Sequence, residues 1–77
     1  MLTIKEILNS YKGKELFIRA FDSGIAIKSN PSNFSDYQVI TKIGDELFEV
    51  EEYIRGQTAP KATYYYSIAH IGRIQKL

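Results

Sequence analysis

Residues 37–54, YQVITKIGDELFEVEEYI, contain two runs of alternating apolar and polar side chains, separated by Gly44 and Asp45. A glycine at the first of two central turn positions suits a type II′ turn, whose twist matches that of the flanking strands. The stretch therefore predicts an antiparallel hairpin in which Ile43 lies opposite Glu46. The other elements of the chain are expected to pack against this hairpin.

The register of the hairpin follows from its turn. Thr41 lies opposite Phe48 and Val39 lies opposite Val50, because side chains alternate between the two faces of a strand. These four residues form a mostly apolar face, whereas Ile40 falls on the other face, opposite a glutamate. We predict that the face containing Val39 packs on the core and that the face containing Ile40 is solvated.

A helix is predicted on the N-terminal side of the hairpin. Thr3 and Glu6 have the spacing of a capping box, in which each side chain bonds a free backbone N–H of the first helical turn. An apolar stripe at helical spacing consists of Ile4, Ile7, Leu8 and Tyr11. Gly13 can adopt the left-handed conformation that ends a helix. The pattern predicts a short amphipathic helix within residues 3–12.

The remaining strands are indicated by runs of β-branched and aromatic residues within residues 15–77. The clearest runs are residues 15–22, 25–28 and 62–66. After the last run, isoleucines recur every three residues at Ile68, Ile71 and Ile74, which fits a single 3₁₀ turn that breaks the strand. The alternation predicts a core of Ile18, Val39, Phe48, Val50, Ile68 and Ile71.

The order of these elements is that of small SH3-like barrels, and one segment adds a resemblance to a family. Residues 64–71, YYYSIAHI, resemble the last strand pair of the Sm-like family, including its Hfq-like branch, around a tight turn. The resemblance implies a mainly β fold with one short N-terminal helix, in which residues 1–77 form a single strongly bent five-stranded barrel, Sm-like or SH3-like. It also implies assembly into rings by pairing of edge strands between subunits.

Composition limits the class of protein. A chain of 77 residues with 44% hydrophobic content can form one domain with a small core, and it has no cysteine for a disulfide or a thiolate metal site. Burial between subunits is the remaining source of stability, so a homo-oligomer is expected. No apolar run is long enough for a membrane span, and together with the lack of cysteine this predicts a cytoplasmic protein.

The chain shows no catalytic arrangement. His70 is its single histidine, so one copy can build neither a histidine metal cluster nor a histidine-based triad. Glu49, Glu51 and Glu52 are interpreted as solvating charges on an exposed strand face. We therefore predict a non-enzymatic protein without a cofactor, a metal site or a small-molecule substrate.

Further copies of the chain are the main predicted partner, and weak binding of single-stranded RNA is a second prediction. The alternative interpretation of the three tyrosines is structural, with two lining the sheet or a subunit contact and one the core. The net charge of +1 rules out a strong electrostatic footprint for nucleic acid, but tyrosines interleaved with cations can stack bases and meet phosphates. The predicted RNA-binding residues are Tyr64, Tyr65, Tyr66, Arg55, Lys61 and Arg73. The predicted oligomer interface comprises Tyr65, Ser67 and Phe48, and a closed ring is favoured over a two-fold dimer because ring closure leaves no free edge. An SH3-like protein-interaction adaptor is the alternative function.

Overall fold

The computed structural model describes residues 2–77, which form one helix, six β-strands and one 3₁₀ turn. The elements in chain order are α1 (Ile4–Tyr11), β1 (Leu16–Phe21), β2 (Gly24–Ser29), β3 (Asp36–Ile43), β4 (Leu47–Ile54), β5 (Ala62–Ser67), the 3₁₀ turn (Ile68–His70) and β6 (Arg73–Lys76). The predicted mainly β fold with one short N-terminal helix is confirmed. The predicted 3₁₀ turn is also present.

The strands form one open sheet in the order β5-β4-β3-β1-β2-β6. Five strands closed into a barrel were predicted, and this prediction is wrong in both strand number and closure. The 3₁₀ turn is the physical reason, because it redirects the chain between β5 and β6. As a result β5 pairs with β4 at one edge, whereas β6 pairs in parallel with β2 at the other edge.

Helix α1 begins and ends as its sequence indicates. The Thr3 hydroxyl oxygen accepts a hydrogen bond from the Glu6 backbone N–H at 3.1 Å, which satisfies one of the free donors of the first turn. After the helix, Gly13 has a φ of +80°, a backbone conformation that is unfavourable for residues with a Cβ atom. The buried face of the helix places Leu8 in the core.

The core lies between this helix and the inner face of the sheet. Ile18, Phe48, Val50 and Ile71 are buried as predicted. Ile68 is partly buried and packs against them. The other buried apolar residues of the core cluster are Leu8, Leu16, Ile25, Ile27 and Ile40.

The β3–β4 hairpin turns one residue later than predicted. The Gly44 N–H donates to the Leu47 carbonyl at 2.8 Å, which centres the turn on the two residues between them. Ile43 consequently pairs with Phe48 instead of Glu46. The partner of Ile43 has moved by two residues, so the later turn by itself keeps the odd-numbered residues of β3 on the face of Phe48 and Val50.

A β-bulge in β3 decides which side chains reach the core. The register shifts between Ile40 and Lys42, leaving Thr41 as the extra residue, and Ile40 pairs with Val50. The predicted placement of Val39 in the core is wrong, because Val39 is only half-buried and Ile40 is fully buried. Strict alternation cannot anticipate a bulge, because the extra residue reverses the phase of the pattern.

The sheet divides between β1 and β3, and Gln38 bridges the division. These two strands share a single pair, Leu16 with Gln38. Further along β1, the Ile18 N–H donates to the Gln38 side-chain oxygen at 2.7 Å, and the Gln38 amide donates to Glu52 at 3.0 Å. Gln38 is 8% exposed, so its amide satisfies a buried backbone donor that β3 no longer reaches.

Candidate assembly surface

Strand β5 forms a free edge of the sheet, called the β5 edge below. On one side it pairs with β4, with Tyr64 opposite Val50 and Tyr65 opposite Glu49. Within residues 2–77, no strand pairs with its other side. Its sequence, ATYYYS, contains no charge and no proline. Such an edge can add another strand, because nothing in its sequence opposes backbone pairing.

The backbone groups of β5 alternate between β4 and the free side. Ile68 continues the register of β5 and donates its N–H to the Glu46 carbonyl at 2.8 Å. In an antiparallel ladder such hydrogen-bonded pairs recur at every second residue, so Tyr66 and Tyr64 also direct their backbone groups towards β4. The residues whose backbone groups point to the free side are the alternate ones, Thr63, Tyr65 and Ser67.

The three tyrosines of β5 lie on two faces of the sheet. Tyr66 faces inward, and its ring stacks on Phe48 with the centroids 5.3 Å apart. Burial raises the pKa of the Tyr66 hydroxyl. Tyr64 shares the inner face but is 43% exposed, whereas Tyr65 lies on the outer face and is 63% exposed. Tyr64 and Tyr65 are therefore the two rings that a partner can reach.

Both accessible tyrosines donate to carboxylates of β4. The Tyr65 hydroxyl bonds Glu49 at 2.8 Å, and the Tyr64 hydroxyl bonds Glu52 at 3.2 Å. In each case the hydrogen bond to the carboxylate raises the pKa of the tyrosine. The surface around these rings is consequently acidic.

Two of the cations predicted to accompany the tyrosines bind to other parts of the fold. Lys61 lies just before β5 and bonds Asp36 at 3.3 Å, and that hydrogen bond raises the pKa of the Lys61 ammonium. Arg73 belongs to β6 at the opposite edge of the sheet, where its guanidinium lies 4.9 Å from the centre of the Phe21 ring. Phe21 lines one groove with Tyr65 and Tyr66, so Arg73 lies on an aromatic ring next to the tyrosines.

The third predicted cation, Arg55, forms hydrogen bonds to the loop that precedes β3. Its guanidinium donates to the carbonyls of Phe34 at 3.2 Å and Pro31 at 3.1 Å, and to Glu15 at 3.0 Å. It also lies 4.9 Å from the centre of the Tyr37 ring. A phosphate would have to compete with these acceptors. RNA binding stays a prediction, and its two arginines already contact other groups of the fold, Arg55 the loop before β3 and Arg73 the Phe21 ring.

The predicted interface residues also differ in accessibility. Phe48 is 1% exposed and belongs to the core, so no partner can reach it. Tyr65 is open, and Ser67 is partly buried at the end of β5. There Tyr65, Ser67 and His70 line a small groove of about 200 Å³ against the turn between β1 and β2, and of the two β5 residues Tyr65 is the exposed one. The open part of the β5 edge is therefore its first half, up to Tyr65.

Other chemistry-bearing groups are dispersed over the described residues. A second, shallower cleft of about 420 Å³ lies beside Phe17, Phe34 and Asp36. Between residues 2 and 77, no three histidine, cysteine or acidic side chains are grouped so that they could hold a metal ion. In the same part of the chain, no helix has the length and apolar character needed to cross a membrane.

Comparison with known proteins gives no relative for this chain. No family model matches it, and neither a curated protein nor a solved structure resembles it significantly.

Sequence reasoning missed the side chains that hold the site together. Gln38 and Glu52 connect β1, β3 and β4, and Tyr64 joins them from β5. A glutamine within an apolar strand is a weak signal for such a role. The partners of Gln38 are the Ile18 N–H of β1 and the Glu52 carboxylate of β4. They can be identified only when the register of these strands is already known.

The titration of Glu49 tests the geometry of this surface. Hydrogen bonds from the Thr41 hydroxyl at 2.6 Å and from Tyr65 hold the pKa of Glu49 below its usual value, and Thr41 has the larger influence. We expect Thr41→Val to raise the pKa of Glu49 towards its usual value, and Tyr65→Phe to raise it less. Carboxyl chemical shifts measured by NMR across an acid titration would show both changes.

A matched control and the sign of the pH effect follow from the same contacts. Thr63→Val also removes a threonine hydroxyl but should leave the Glu49 titration unchanged.

Because the pKa of Glu49 is lowered by folding, its contribution to stability is present above its unfolded pKa and lost as the pH falls through its folded pKa. Equal titrations in the wild-type protein and Thr41→Val would contradict the observed hydrogen bond.

Proposed function

We propose that the chain is a non-enzymatic assembly module that joins copies of itself by pairing strands at the β5 edge. The observation that supports this most is the unprotected character of β5. It has six residues, no charge and no proline, and alternate backbone groups face its free side. Proteins that do not use an edge strand for pairing usually shorten it, charge it or cover it.

Strand β6, the opposite edge, illustrates that protection. It has only four residues, of which Arg73 and Lys76 are cationic. A short, charged edge disfavours the addition of another strand. The contrast between the two edges supports a contact through β5.

The small core is a second line of support. A domain of this size gains a modest stability from its own burial, and the chain has no disulfide to add to it. Pairing at the β5 edge would bury Tyr65 and satisfy backbone groups that otherwise bond only water. The Sm-like resemblance of residues 64–71 implies the same use of sheet edges, and an Sm-like ring stays one form that the assembly could take.

A proline at Thr63 tests the proposal. Its N–H points to the free side, so Thr63→Pro removes a donor that an added strand needs without removing a hydrogen bond to β4. We expect the wild-type protein to be larger than its 8.8 kDa chain mass, and Thr63→Pro to shift to the monomer. Light scattering coupled to size exclusion over a concentration series measures both masses.

Two further results complete this experiment. Thr63→Val keeps the backbone N–H and should assemble like the wild-type protein. Circular dichroism should show that Thr63→Pro keeps its β content, so that loss of assembly is not loss of folding. A wild-type protein that remains an 8.8 kDa monomer at every concentration would overturn the proposal.

A further inference from the structure

We propose that the partner of the β5 edge is β5 of a second copy, paired antiparallel about a two-fold axis that passes beside Tyr64. In this arrangement Thr63 of each copy pairs with Tyr65 of the other. The inference rests on the proposed function and specifies the surface and the symmetry of the assembly. It makes the assembly a dimer with one continuous sheet.

The register follows from the β5 residues that direct their backbone groups to the free side of the sheet and are also accessible to another strand. Thr63 and Tyr65 direct their N–H and C=O groups to the free side, and both are exposed. Ser67 points the same way but is partly buried, whereas Tyr65, which lines the same groove against the β1–β2 turn, stays exposed; Ser67 is therefore the least accessible of the three. Pairing Thr63 with Tyr65 of the second copy, and the reverse, forms four hydrogen bonds, because each hydrogen-bonded antiparallel pair exchanges two.

The side chains on both faces suit this register. At the two-fold axis, Tyr64 of one copy lies directly opposite Tyr64 of the other. This pair is a non-hydrogen-bonded pair, in which the side chains approach each other most closely. The 43% exposure of Tyr64 in the single chain is then reduced by an aromatic pair. On the outer face, Tyr65 lies opposite Thr63 of the second copy, a pair of aromatic and β-branched side chains that is favourable across strands.

The charges of the two edges favour this pairing over the alternatives. No charged residue lies within β5, so it can meet itself without placing like charges opposite one another. Strand β6 meeting itself would bring its cations together, whereas a β5–β6 contact would use a strand of only four residues. A two-fold contact also closes the assembly with one surface, which is the commonest arrangement of homo-oligomers.

The acidic residues of β4 give this dimer a characteristic salt dependence. The two β4 strands would be separated by three strand spacings, about 14 Å, which exceeds the screening length of about 8 Å at physiological ionic strength. Their repulsion is therefore weak at that ionic strength and grows when salt is removed. We expect the dimer to weaken at low salt, whereas a contact between the basic β6 and the acidic β4–β5 surface would strengthen.

Single-cysteine variants test the register directly, because the chain contains no cysteine of its own. Directly opposite non-hydrogen-bonded residues have Cα atoms about 4.5 Å apart, within the range that a disulfide can span. Under mild oxidation, Tyr64→Cys should convert from the 8.8 kDa chain to a covalent dimer of twice that mass. Gln75→Cys, on the exposed β6 edge, is the matched control and should form no covalent dimer in the same conditions, although it should still assemble through β5.

A second pair of variants keeps the test decisive if loss of the Tyr64 ring weakens the dimer. Thr63→Cys mixed with Tyr65→Cys should form the mixed disulfide in preference to either self-pair, because the proposed register places these positions opposite each other. Failure of both cross-links in a protein that is nevertheless oligomeric would overturn the two-fold register and leave the proposed function standing. Cross-linking of Tyr64→Cys with Gln75→Cys would instead show a β5–β6 ring. A monomeric wild-type protein without cross-links would refute both proposals.

Discussion

Replacing Ile40 by alanine is expected to destabilise the fold by about 2–5 kcal/mol, the usual cost of truncating a fully buried isoleucine. Ile40 is 0% exposed and lies in the core cluster opposite Val50. Truncation would leave a cavity between the hairpin and the helix, which the rigid strand ladder cannot fill by collapsing. Chemical denaturation of the purified variant measures the loss of unfolding free energy.

The neighbouring residue Val39 provides the matched control. Val39 is half-buried on the outer face, so Val39→Ala should cost much less than Ile40→Ala. Without the bulge at Thr41 and with the turn on Gly44 and Asp45, the order of the two effects would be reversed. A larger loss for Val39→Ala would therefore contradict the observed register of β3.

Replacing Gln38 by leucine is expected to cost about 1–3 kcal/mol, because it leaves buried polar groups without a partner. The leucine has a similar volume but cannot accept the hydrogen bond that the Ile18 N–H donates at 2.7 Å. It also removes the donor to Glu52. Because β3 has diverged from β1 at this point, no backbone carbonyl of β3 takes over as acceptor.

Two measurements separate this effect from a general disturbance of the sheet. Gln75→Leu makes the same chemical change on an exposed position of β6 and should be nearly neutral. Hydrogen exchange of the Ile18 amide should become faster in Gln38→Leu than in the wild-type protein. Equal stability of Gln38→Leu and the wild-type protein would mean that the amide bridge is not needed at this division of the sheet.

The predicted features that are confirmed depend on residues close in sequence. The hydroxyl of Thr3 caps the helix and Gly13 ends it, because a helix terminus leaves local donors and a local need for positive φ. The 3₁₀ turn after β5 is visible in the spacing of three isoleucines. In β4, Phe48 and Val50 are buried as their alternation indicates.

The candidate site was predicted in part. Its tyrosines are recognisable from the sequence, because Tyr is a frequent strand residue whose run marks β5. The positions of the cations are not recognisable, because Arg55 and Lys61 lie in the loop before β5, Arg73 lies in β6, and their side chains bind other elements. Their partners are acidic, carbonyl or aromatic groups that are far away in the chain, such as Glu15 for Arg55.

The sequence by itself determined the helix, the strand runs and the approximate positions of the turns, because these depend on propensity and spacing over a few residues. Tertiary structure decided the bulge at Thr41, the burial of Ile40 and the division of the sheet at Gln38. It also decided that β5 and β6 lie at opposite edges. One extra residue in a strand exchanges the faces of all the side chains beyond it. Local sequence does not reveal that residue, so the register is fixed only when the apolar side chains of several strands and the helix are buried together.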